Sequence, residues 1–170
     1  MGGAKIGLYA TRALQLICGA VVLGVGITLA RDINTISHET GCYRNGDKND
    51  QIKCSDLVGR YPSSTAYAAF TGAFGLLDAL VGLGAAALVG AVPWFVTLGV
   101  DALAFLFYLA GGINSAVLRA HYHWDDHQGL NIWTRFDTIT AFMFIGFLVT
   151  IAAMALVFVA RGAIRKHSAV

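Results

Sequence analysis

The sequence predicts an all-α membrane protein, a four-transmembrane-helix bundle, and three observations carry that prediction. Four apolar stretches, at about 13–30, 65–89, 93–118 and 137–160, are separated by polar segments. Each approaches or exceeds the ~20 residues that a helix needs to cross a ~30 Å hydrocarbon core. The composition agrees, with 56% apolar and 13% charged residues, against ~25% charged in soluble proteins. The other structure able to span lipid, a closed barrel, requires short segments of alternating polarity, and the chain has none. Four spans and their connections use the 170 residues as a single domain, without room for a separate soluble one.

The first span opens on Thr11-Arg12-Ala13-Leu14-Gln15 and contains the pair Ala20 and Gly24, four residues apart. Small residues at that spacing let helix backbones approach closely in lipid. The run has no small-x-small site followed by a plausible mature start, so it is expected to remain as a span and not as a removable leader. A polar loop of about 31–64 follows. The second span repeats the small-residue pattern at Ala68 and Gly72 and again at Gly75 and Ala79. These positions are the predicted packing surfaces, between helices of one bundle or between copies.

Val89-Gly90-Ala91-Val92-Pro93 is short enough to force spans two and three into an antiparallel hairpin. Pro93 suits a helix start, where its missing amide costs little. Trp94 marks the interface on the hairpin side; Tyr61, Tyr122, Trp124 and Trp133 mark the opposite one. The loop at about 119–136 gathers His121, His123 and His127 beside Asp125 and Asp126. Imidazole with carboxylate can hold zinc, yet no distant ligand motif accompanies the histidines. Interfacial anchoring is therefore the expectation, with no metal and no cofactor. Phe105, Phe107, Tyr108, Phe142, Phe144 and Phe147 are expected to pack or face lipid, not to line a cofactor.

Charge placement bears on orientation. Lys5 and Arg12 precede the first span, and Arg161, Arg165 and Lys166 follow the last, without an acid in either tail. The loops mix basic and acidic residues. Basic residues dense near span ends predict both termini in the cytoplasm. Cys42 and Cys54 would then lie in an oxidising compartment, where a disulfide between them is expected.

Asp78 and Asp101 are the costly residues, because an acid near the bilayer centre is disfavoured by ~2.5–3.5 kcal/mol on the insertion scale. Counted from Gly90, one lies twelve residues before the hairpin tip and the other eleven after, at similar depth. They can share a proton or face separate neighbours. Arg12 and Gln15 are candidate partners for Asp101, with a bridge through Gln15 if Arg12, expected at the interface, does not reach inward. Asn114 and Ser115 add hydrogen-bonding groups in the third span. The expected role for Arg12, Gln15, Asp78, Asp101 and Asn114 is a structural polar clamp. A proton or ion pathway is the rival, but it needs polar residues along its whole length.

Arg12-Ala13-Leu14-Gln15-Leu16 resembles the opening of fungal MARVEL-domain proteins. So does the stretch from Leu98-Gly99-Val100-Asp101 through Ala110-Gly111-Gly112, closed by Arg119-Ala120-His121. The resemblance covers the four spans in order. It implies an M-shaped tetraspan with cytoplasmic ends, without enzymatic activity, in the plasma membrane or secretory-pathway vesicles. Fungal members similar to it are eisosome-associated and implicated in non-classical export. Arg12 and Asp101 match motif positions. The expected function is a scaffold that self-associates to organise or curve membrane domains. Its expected partners are membrane lipids, copies of itself and an unrelated membrane protein, and not nucleic acid. An accessory subunit of a larger membrane complex is the alternative, followed by a small proton or ion channel.

Overall fold

The computed structural model describes residues 2–39, 60–87, 93–121 and 132–167, with side chains described for 6–35, 62–87, 93–120 and 134–159. The described backbone folds as four helices: α1 (Gly2–Glu39), α2 (Arg60–Ala87), α3 (Trp94–His121) and α4 (Ile132–His167). Each contains a segment long and apolar enough to cross a membrane, at Ile6–Thr35, Pro62–Ala87, Trp94–Ala120 and Thr134–Val159. The protein is an integral membrane protein with four spans.

The helices outrun the apolar stretches from which they were inferred. Hydropathy starts the first span near residue 13, whereas α1 starts at Gly2 and ends at Glu39. Residues 31–39 and 60–64, read as loop, are helical, as are 119–121 and 132–136. A polar turn stays helical at little cost once its neighbours are helical, because extension adds a hydrogen bond for each residue fixed.

Successive helices run antiparallel in a ring in which α1 packs on α2 and α4, and α3 packs on the same two. α1 and α3 are thus diagonal. The buried positions recur every three or four residues: 12, 15, 19, 22, 26, 29 and 33 on α1, and 97, 101, 104, 108, 111, 115 and 118 on α3. α4 contributes 136, 139, 143, 146, 150 and 153. That period of about 3.5 gives each helix one narrow inner seam, the pattern of antiparallel bundles. Cys18 and Gly112 are also buried, and the remaining described positions of these three helices are half-buried or exposed. Leu77, Leu106, Leu148 and Val159 are more than half exposed, which is the normal outer surface of a protein solvated by acyl chains.

The seam between α1 and α2 is the tightest. A Cβ on Gly72 would collide with the α1 backbone at Leu23 and Gly19. One on Gly19 would lie 3.0 Å from both Gly72 O and Leu76 N, and one on Gly26 would lie 3.0 Å from Ala69 N. Backbones this close gain dispersion contact that bulkier residues would prevent. Ala68 and Ala79 of α2 are buried, and Ala68 lies beside Gly26 in this seam. The pair Ala20 and Gly24 is not part of it: Ala20 is exposed, and no atom lies within 4 Å of a Cβ on Gly24. Of the two expected packing roles, inside one bundle or between copies, this pair does not take the first. Gly19 and Gly26, one and two residues away, turn inward instead, because the seam follows the heptad that begins at Arg12.

Above that seam Tyr108 fills the centre. A Cβ on Gly75 of α2 or Gly146 of α4 would strike its ring or hydroxyl, so both glycines make room for one large side chain. The expected packing roles of the aromatics divide accordingly. Tyr108 is buried, Phe142 and Phe147 pack against the core, and Phe144 is 37% exposed.

Candidate functional site

Arg12 lies ten residues into α1, six past the start of its span, and its inner-seam position aims it across the bundle axis. The guanidinium meets the carboxylate of Asp101 on the diagonal helix through two parallel bonds. Nη1 donates to Oδ1, and Nη2 donates to Oδ2 at 2.7 Å. Planar guanidinium and carboxylate match in this fork geometry, which makes the pair stronger and more directional than a single contact. Arg12 reaches Asp101 directly, so the expected bridge through Gln15 is not used. The early start of α1 accounts for that difference: Arg12 is embedded in the bundle and not parked at its edge. Gly82 makes the path, since a Cβ there would overlap the Arg12 side chain.

Gln15 performs a different task. Its side-chain oxygen accepts from Arg12 Nη1 at 2.9 Å. Its amide nitrogen donates to Asp78 Oδ2 at 3.1 Å on α2 and to Thr150 Oγ1 at 3.3 Å on α4. Thr150 in turn donates to Gly146 O at 2.8 Å. The second carboxylate, Asp78, also has Oδ1 at 3.7 Å from Arg12 Nη1. One arginine and one glutamine on α1 thereby touch a polar side chain on each of the other three helices.

The cluster is sealed. Arg12, Gln15, Asp101 and Thr150 are 0% exposed, and Asp78 is 1% exposed. Among the described residues, Arg12 Nε, Asp78 Oδ1, Thr71 Oγ1 and Tyr108 Oη are buried without a hydrogen bond. Such unmet groups are costly in a medium of low polarity. The Arg12–Asp101 bond must therefore be weighed against them and against desolvation.

Asn114, expected in the same constellation, lies elsewhere. It donates to Ser64 Oγ at 2.9 Å, between the opposite ends of α2 and α3. The distance follows from thirteen residues of helix between Asp101 and Asn114, about 20 Å along the axis. Ser115 is buried.

Two ion pairs near the loop-side ends were not anticipated. Arg135 of α4 donates to Asp32 of α1, and Arg119 of α3 donates to Asp137 of α4 at 3.1 Å. They stand at polar borders of the spans, where charge is unremarkable in a sequence. Thr150 was also missed, since a lone threonine in an apolar span gives no signal. Heptad spacing would have found it: positions 136, 143 and 150 share one seam.

Among the described residues no group of three His, Cys, Asp or Glu side chains could hold a metal ion. The side chain of His121, together with His123 and His127, lies outside the described residues, as do Cys42 and Cys54. Cys18 is a free, buried thiol.

A family model described as MARVEL, a membrane-associating domain, matches residues 5–156. No curated protein and no solved structure matches the chain.

Proposed function

The chain belongs to the MARVEL family of membrane-associating domains, and we propose that it is a non-enzymatic tetraspan scaffold that associates with copies of itself to organise or curve a membrane domain. The observation that supports this reading most is the sealed set of bonds joining Arg12 and Gln15 to Asp78, Asp101 and Thr150. Each of these side chains bonds to another in the set, an arrangement suited to cohesion between helices. In this reading Arg12, Gln15, Asp78 and Asp101 act as a polar clamp that fixes which helix faces which. Asn114 forms a separate rung with Ser64. A fixed bundle can present a constant outer surface to neighbours.

Ala20 and Gly24, set on the outer face, are the positions through which α1 of one copy would approach another. Gly72, Gly75, Ala68 and Ala79 serve the interior. The termini lie in the cytoplasm, and a bridge between Cys42 and Cys54 ties the first loop on the other side. The likeness to fungal members supports a place in the plasma membrane or in secretory vesicles. Both basic tails would be drawn to anionic lipid at ~1 kcal/mol per residue near the surface.

The test is extraction of the full chain with its native lipid, followed by imaging and mass measurement. Assemblies containing this chain alone, in repeated copies, support the scaffold. A fixed ratio with an unrelated chain would instead make it an accessory subunit. Proton flux in liposomes that is lost in Asp78→Ala and Asp101→Ala would make it a conductor.

A further inference from the structure

The clamp holds one carboxyl group more than it has cations. Arg12 supplies a single positive charge, while Asp78 and Asp101 bring two acids to it. Both acids present an oxygen to the same nitrogen: Asp101 Oδ1 is bonded to Arg12 Nη1, and Asp78 Oδ1 lies 3.7 Å from it. The two carboxyl groups are also within hydrogen-bond reach of each other. Solvent does not offset the excess, since Asp78 is 1% exposed and Arg12 and Asp101 are 0% exposed. Carboxyl groups in such contact do not both ionise at neutral pH, and one of them keeps a proton.

The other helices supply no further charge to Asp78. From α1 comes Arg12, and from α3 come Asp101 and Tyr108, with the Cys18 thiol of α1 near Tyr108. Tyrosine and cysteine are ordinarily uncharged at neutral pH. α4 brings Thr150. Its ionisable side chains among the described residues, Arg135 and Asp137, lie thirteen or more residues from Thr150.

The hydrogen bonds decide which acid keeps the proton. Arginine only donates, so Arg12 holds Gln15 with its oxygen toward the guanidinium and its amide nitrogen toward Asp78 Oδ2. Asp78 Oδ2 is therefore an acceptor. Both oxygens of Asp101 are acceptors as well, one for each terminal guanidinium nitrogen. Asp78 Oδ1 is the oxygen left over, buried and without a donor. Ionised, it would be a stranded acceptor; protonated, it becomes a donor beside an ionised partner.

We propose that Asp78 is a proton-binding site, filled in the folded bundle, whose Oδ1–H donates to the carboxylate of Asp101. The cluster is then neutral, with Arg12 and Asp101 as its one ion pair, and a hydrogen bond joins α2 to α3 directly. The proposal rests on the clamp within a single copy, so it stands or falls apart from self-association.

A filled site makes stability depend on pH in a defined direction. An aspartate in the unfolded chain loses its proton above about pH 4, so folding near neutral pH takes up one proton at Asp78. The contribution of the site is complete below that range and shrinks as pH rises. Through this site the unfolding constant grows about tenfold per pH unit.

The test uses the full chain, one copy per phosphatidylcholine nanodisc, with isotope-labelled aspartate carboxyl groups. Infrared spectra at neutral pH should show the carbonyl band of a protonated carboxylic acid, shifted by the label and lost in Asp78→Asn. The amide of that variant donates and accepts as the acid does, so the variant should fold and be at least as stable as the wild type. In detergent, the ratio of the wild-type to the variant unfolding constant should rise about tenfold per unit between about pH 5 and pH 7. Absence of the band from the wild type overturns the proposal without any variant. A band that survives Asp78→Asn, a variant that does not fold, or a ratio independent of pH overturns it as well.

Discussion

Two sets of ion pairs hold this bundle at its two ends, and they differ in burial far more than in chemistry. At the hairpin side, Arg12 and Asp101 face each other at 0% exposure, bonded at two points. At the loop side, Arg119 and Asp137 are 39% and 58% exposed, and Arg135 and Asp32 are 41% and 36%. An exposed pair exchanges water for a partner of similar strength, so its net contribution stays near ~0–1 kcal/mol. A buried pair contributes little when intact compared with an apolar replacement, but breaking it strands a charge and costs ~3–5 kcal/mol. The same residue types thus act as a tether at one end and as a lock at the other. A lock specifies arrangement, because any other rotation of the helices leaves Arg12 or a carboxylate in lipid.

The contrast can be broken most sharply at Arg12. Arg12→Leu leaves Asp78 and Asp101 buried without their cation, and unfolding free energy in detergent should fall by about 3–5 kcal/mol. A loss below ~1 kcal/mol would place this pair with the exposed ones. The glycine seam comes next. Gly72→Ala drives a methyl group into the α1 backbone and should cost about 1–3 kcal/mol. Gly24→Ala meets nothing and should stay within about 0.5 kcal/mol of the wild-type monomer. Melting curves of the two variants side by side read the difference directly.

Smaller again is Gln15→Leu, which removes an uncharged side chain and leaves the Arg12–Asp101 pair in place. It should cost about 0.6–1.7 kcal/mol, the range for polar contacts between membrane helices. At the bottom, Arg119→Ala should change stability by less than ~1 kcal/mol, and less still at high salt. A large effect of Arg119→Ala would erase the distinction between the two ends.

Much of this was readable in the chain, and the remainder was hidden for physical reasons. Four spans follow from length and apolarity. Asp78 and Asp101 could be set at one depth because a short turn makes counting from its tip reliable. Arg12 was placed too shallow because hydropathy registers where lipid contact begins, not where a helix begins. The direction in which each span faces was harder to read. A helix apolar all round shows little contrast between inside and outside, so Ala20 and Gly24 drew notice by spacing alone. Yet Arg12 and Gln15 are themselves the marker. Polar residues in a span turn inward, and steps of three and four from them reach Gly19, Val22, Gly26 and Leu29, the buried stripe of α1. The exposed pairs at the loop side had no such marker, since charges there are ordinary.

A double-mutant cycle on Arg12 and Asp101 measures the lock itself. Unfolding free energies of Arg12→Met, Asp101→Leu and the combination should give a coupling above about 2 kcal/mol, with the combination less damaged than either single variant. Losses that simply add, to within about 0.5 kcal/mol, would mean that the two residues do not hold α1 and α3 together.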